Sequence, residues 1–98
     1  MKPLTWAKVV FSRQADALRQ RMDREHVRRL AQVIAVIKNG PEDGPVAGYD
    51  ADGNLLRQMT GADTHVIYHV TFWPIGRVLQ IALIEIRDWE PLESGRTL

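Results

Sequence analysis

The chain has 98 residues, of which 45% are hydrophobic and 26% charged, with no cysteine, the size and composition of one globular domain rather than of a disordered or fibrous chain. Without cysteine there is no disulfide, no thiolate nucleophile and no cysteine-ligated zinc, and three scattered histidines offer no metal-ligand spacing, so neither a metal nor another cofactor is expected. The net charge is only +1, yet residues 1–38 carry nine Lys/Arg against three Asp/Glu while residues 39–98 carry four against nine, a split that suits an acidic partner or nucleic acid on the basic part, or else arginines that merely solvate it.

The start, Met1–Lys2–Pro3, lacks an apolar run, and the longest apolar stretches, Val33 to Ile37 and Ile81 to Ile84, are too short to span a bilayer, so a cytoplasmic protein without a membrane partner is expected. Thr5 to Phe11 is rich in β-formers and precedes Ser12, a good helix cap, which predicts a strand running into a helix. From Ser12 to Met22, Ala15, Leu18 and Met22 recur at helical spacing. Asp23 is placed to cap a second helix, on which Val27, Leu30, Ala31, Ile34 and Ile37 repeat until Asn39–Gly40–Pro41 stops it. The two helices are expected to form a tight antiparallel or steeply angled pair.

Residues 39–54 are rich in Gly and Pro, which predicts a long exposed loop or an irregular strand and makes it a candidate rim of a site. Leu55–Met59, His65–Phe72 and Val78–Arg87 then read as three strands of a meander, with turns at Thr60–Asp63 and Trp73–Gly76. The segment Glu90–Leu98 is polar and aperiodic and is expected to be a flexible tail, leaving residues 1–89 as one domain. Alternation in the second of these strands puts Val66, Tyr68, Val70 and Phe72 on one face, toward the helices, and His65, Ile67, His69 and Thr71 on the other. The last strand is apolar at both parities through Leu83, as in a strand paired on both sides. The open face is thus expected to carry Arg57, His65, His69 and Arg87. The fold class is α+β, two N-terminal helices packed on an antiparallel sheet.

The succession strand, helix, helix, glycine-rich loop, meander resembles the RelE/ParE superfamily of bacterial toxins. VVFSRQADALRQRM is similar to the family's opening strand and first helix, DREHVRRLAQVIAVIKNGP to its second helix and Pro-containing exit, GNLLRQMTGADTHVIYHV to its Leu-Arg…Arg-Val-Ile-Tyr-Arg-Val hairpin, and VLQIALIEIRDW to its last strand. The resemblance covers residues 4–89 and implies the β-α-α-β-β-β arrangement of a type II toxin–antitoxin toxin. RelE-like members inhibit translation by cutting mRNA in the ribosomal decoding site, where the ribose 2′-OH attacks the adjacent phosphate. That chemistry needs a base, an acid and a cation, and no metal.

Carried onto this chain, the resemblance implies His65 as base or acid, where the family has the first Arg of its Arg-Val-Ile-Tyr motif, Arg57 and Arg87 as phosphate cations, and Trp89 with His69 as RNA-binding residues. It also implies a cognate protein antitoxin, for whose acidic segment Arg24, Arg28 and Arg29 are the expected contacts, with ribosome and mRNA as further partners. Two features depart from the RNA-cutting pattern. The half of the chain that forms the meander is acidic, and the Gly40–Asn54 loop carries Glu42, Asp43, Asp50 and Asp52 with no Lys or Arg, whereas phosphate contacts supply most affinity for nucleic acid. A ParE-like poison of DNA gyrase, or a non-catalytic binding module on the same fold, is the alternative.

Overall fold

The computed structural model describes residues 5–73 and 76–89; the expectations for the chain start, the Pro74–Ile75 turn and the tail from Glu90 lie outside the described residues. The elements are β1 (Trp6–Phe11), α1 (Arg13–Arg19), α2 (Arg24–Asn39), β2 (Val46–Tyr49), β3 (Leu55–Gly61), β4 (Thr64–Trp73) and β5 (Gly76–Ile86). They build one five-stranded sheet in the order β1-β5-β4-β3-β2.

The class is α+β, but the expected antiparallel sheet is corrected to a larger, mixed one. β1 pairs with β5 in parallel, while β5–β4, β4–β3 and β3–β2 are antiparallel. The two helices carry the chain across one sheet face to β2 at the far edge, and the antiparallel turns from β2 through β3 and β4 then bring β5 beside β1 in the same direction. Ser12 N–H donates to the Ile81 carbonyl (2.8 Å) and Arg77 N–H to that of Thr5 (2.8 Å), closing the two ends of this pairing. The additional strand, β2, lies inside the Gly/Pro-rich stretch. Only four residues long and interrupted by Gly48 at φ 121°, it takes the irregular-strand alternative expected for this stretch.

Local chemistry sets the helix ends. Ser12, in extended conformation, accepts the Ala15 N–H at its Oγ (3.0 Å) and donates that hydroxyl to the Ala82 carbonyl (2.7 Å). One side chain thus caps α1 and ties it to β5. Ser12→Ala should cost about 1–2 kcal/mol, read as a lower denaturant midpoint at unchanged slope, because it removes a cap and leaves the carbonyl unpaired. α1 stops at Arg19, three residues before the expected Met22. Asp23 caps α2 by accepting the His26 N–H (2.9 Å), and the helix ends at Gly40.

α1 lies over β5 and β1, and α2 over β3 and β4. Both helices therefore pack chiefly on the sheet rather than as the tight pair expected. The core is Ala15, Leu30, Val33 and Ile37 from the helices against Val66, Tyr68, Leu79, Ile81 and Ile84 from the sheet. A Cβ on Gly61 would stand 2.9 Å from Val33 Cγ2, so glycine here lets α2 settle onto β3. β5 carries a bulge at Ala82: Ile67 faces Leu83 but Tyr68 faces Ile81. The extra residue switches parity, so Leu79 and Ile81 point to the helices before it and Ile84 after it. Double-sided apolarity in this strand comes from the bulge as well as from pairing on both edges.

Among the described residues no helix is long and apolar enough to cross a membrane.

Candidate functional site

On β4 and β5, His65 and Glu85 are direct cross-strand partners, and Thr60 of β3 is the partner of His65 on its other side. All three occupy the face opposite Val66 and Ile84, away from the helices. The Thr60 hydroxyl and His65 Nδ1 are hydrogen-bonded at 2.6 Å, which holds the ring and leaves Nε2 for another partner. Together with Asp63, Ile86 and Arg87 these residues line an open cleft of about 330 Å³ at the end of the sheet. Arg87 is held there by its backbone, whose N–H donates to the Asp63 carbonyl (2.9 Å).

Asp63 also anchors α2 to this end. Its carboxylate accepts from Arg29 Nη1 (2.8 Å) and the Thr64 hydroxyl (3.2 Å), with His26 Nε2 at 3.5 Å. Partial desolvation pushes this carboxyl up, but the Thr64 hydroxyl, Arg29 and His26 outweigh it and hold the group below its ordinary value.

The structure brings together only part of the expected set. His65 and Arg87 share the cleft. Arg57 does not: it pairs with Tyr68 across β3–β4 and so lies on the helix-facing side, a correction to its expected place beside His65. Its Nη1 donates to the Gly44 carbonyl (2.8 Å). His69 shares a face with His65 but lines a different cleft, with Nε2 3.8 Å from Asp50. Trp89 packs on His26, with ring centroids 4.7 Å apart and planes tilted by 32°, rather than lining the His65 cleft. Glu85 and Thr60 carry no functional signal in the sequence, since strand alternation alone does not say which residues of β5 and β3 face His65.

The helical arginines are less free than the charge split implies. Arg28 and Arg29 both bond to Glu25, and Arg29 to Asp63 as well, while Arg24 is exposed without such a partner among the described residues. Exposed pairs of this kind contribute little, so a partner's carboxylates can displace Glu25 cheaply.

The second cleft, about 310 Å³, opens at the other end of β4, where Pro41, Glu42 and Asn54 of the Gly/Pro-rich stretch form its rim. That stretch is fastened at Asp50, whose Oδ1 accepts the N–H groups of Asp52 (2.9 Å) and Asn54 (2.8 Å) and whose Oδ2 accepts Asn54 Nδ2 (3.0 Å). The Asn54 side chain first, and then these backbone donors, hold the Asp50 carboxyl below its ordinary 3.8. A depressed carboxyl contributes stability above the unfolded-state value and loses it as pH falls through the folded one. Asp50→Ala should therefore lower the melting midpoint near neutrality, and the gap to the unsubstituted protein should narrow only as the pH falls below the ordinary carboxyl value of 3.8.

Among the described residues no cluster of three or more His, Asp or Glu is placed to hold a metal. No protein-family model, curated protein or solved structure matches the chain.

Proposed function

We propose that this chain is a toxin that arrests growth by metal-independent cleavage of mRNA in the cytoplasm and is neutralised by a cognate protein antitoxin. The observation that carries the reading is the convergence of His65, Glu85 and Arg87 on one cleft of the helix-free sheet face. These are the three kinds of group that 2′-OH attack on a phosphodiester requires. Directly opposed cross-strand residues have Cβ atoms about 5 Å apart, a separation that lets a carboxylate and an imidazole flank one phosphate.

In this reading the Glu85 carboxylate takes the proton of the ribose 2′-OH as its oxygen bonds to phosphorus. The P–O5′ bond breaks, and His65 in its protonated form gives its proton to the departing 5′-oxygen. The products are a 2′,3′-cyclic phosphate and a 5′-hydroxyl. Arg87 balances the charge that gathers on the non-bridging oxygens. The sequence resemblance to RelE-like toxins supplies the substrate class.

A second reading, a non-catalytic binding module, is favoured by the exposure of Tyr49 (72%), Phe72 (67%) and Val46 (54%), which leaves large apolar side chains open at the end away from the His65 cleft. Inducible expression of the wild-type chain beside His65→Ala/Arg87→Ala in a bacterial host, with growth and RNA 5′ ends followed, separates the two. Arrest with new ends that vanish in the variant is the expected result. Arrest without new ends transfers the reading to a ParE-like gyrase poison, and unimpeded growth to the binding module.

A further inference from the structure

We propose that the second cleft is a binding site for a nucleoside monophosphate, with the phosphate held between Arg57 and Arg77 and the base stacked on Phe72. The site is separate from the His65 cleft and does not depend on RNA cleavage.

Register places its parts on one face. Arg57 is the cross-strand partner of Tyr68, and Arg77 that of Phe72. Tyr68, Val70 and Phe72 alternate along β4, so both guanidinium groups and the Phe72 ring belong to the helix-facing side. α2 ends at Asn39, and the sheet extends past it at this end. Hence Phe72, expected in the core by its parity, is 67% exposed, and the cleft forms where the helix leaves the sheet uncovered. At about 310 Å³ it is at the lower end of the range for small-ligand sites.

The cations are positioned in advance. Arg57 is oriented by its bond to the Gly44 carbonyl, and Arg77 lies over the Trp6 ring, its guanidinium carbon 4.2 Å from the centroid. Trp6 is itself fixed by donating Nε1–H to the Lys38 carbonyl (3.1 Å). Gly44 keeps the wall close, since a Cβ there would fall 2.5 Å from the Gln58 carbonyl oxygen and 2.6 Å from the Tyr68 hydroxyl. Glu42 at the rim is the one acid among the lining residues.

A second observation marks the same place as unfinished. Arg77 Nε is a buried side-chain nitrogen without a hydrogen-bond partner among the described residues, and Arg77 lines this cleft. Buried polar atoms are ordinarily satisfied, so this orphan calls for an outside partner. Arg77 Nε–H can only donate, which asks for an acceptor, and a phosphate oxygen supplies one in the fork geometry that guanidinium groups favour. The exposed phenyl ring beside it takes a base, because every base presents a π-face.

The test is titration of the full chain with adenosine 5′-monophosphate and, separately, with inorganic phosphate, read by amide chemical shifts. The nucleotide is expected to shift resonances of residues 54–57, 68–72 and 77 and to bind about fivefold or more tightly than phosphate. Arg57→Gln and Arg77→Gln should each weaken it about tenfold. Phe72→Ser, an exposed change that leaves the core intact, should reduce affinity to that of phosphate. His65→Ala should bind as the wild type does, even where it abolishes cleavage. No shift at millimolar nucleotide, equal affinity for nucleotide and phosphate, or binding indifferent to Arg57, Arg77 and Phe72 in folded variants would overturn the assignment.

Discussion

Glu85→Gln should lower mRNA cleavage by the purified chain in the presence of ribosomes about 10²- to 10⁴-fold, the range that a positioned acid or base contributes, while the unfolding midpoint stays within about 0.5 kcal/mol of wild type. The substitution keeps the shape of an exposed side chain and removes only its ability to take a proton. His65→Ala should cost as much, and the double variant little more than either single one, because a base and an acid acting on one phosphate in one step fail together. Arg87→Lys distinguishes the cation's task. It retains the charge but loses the planar fork, so it should keep more activity than Arg87→Ala. Cleavage undiminished in Glu85→Gln would remove the carboxylate from the chemistry, and the cleft would then owe its composition to strand pairing alone.

Ser12, Asp23 and Gly40 were legible as helix boundaries because capping is a local transaction between a side chain and the backbone within three or four residues. Val66 and Tyr68 were legible as core because strand alternation is also local. What was not legible depended on partners distant in the chain. The parallel pairing of β1 with β5 leaves no mark on Trp6–Phe11, and the bulge at Ala82 appears only as a run of apolar residues with no preferred parity. Arg57 shows the same limit in the site. Its face follows from the β3–β4 register, in which it meets Tyr68 rather than a residue of His65's parity, and a slip of one residue reverses every side chain of a strand. Glu85 is the converse case, a side chain whose significance arises from the residue across from it.

Phe72 adds a different lesson, since its parity was read correctly and its exposure was not. Alternation tells which face a residue is on. Whether that face is covered depends on where the helix above it ends, and α2 ends before β4 does. The Gly/Pro-rich stretch, too polar and irregular to read in detail, supplies the rim of the cleft that results.

Tyr68 joins the core to that rim, and its substitutions should separate the two roles. It is fully buried, and its hydroxyl donates to the Pro41 carbonyl (2.7 Å). Burial, chiefly, raises the phenol's pKa above its ordinary value, so the group stays protonated and remains a donor across the physiological range. Tyr68→Ala removes a ring from the centre of the sheet and should cost about 3–5 kcal/mol, a large part of the 5–15 kcal/mol typical of a domain. Tyr68→Phe keeps the ring and leaves the Pro41 carbonyl without its donor, for about 1–2 kcal/mol. The two losses should also differ in where they are felt. In Tyr68→Phe, amide exchange should quicken at Asp43 and Gln58, whose N–H groups donate to Gly40 and Pro45 within the fastened stretch, while Leu30, Val33 and Ile37 exchange at the rate set by global unfolding. Uniform acceleration across α2 and the loop would mean instead that the hydroxyl stabilises the whole domain and that the rim has no fastening of its own.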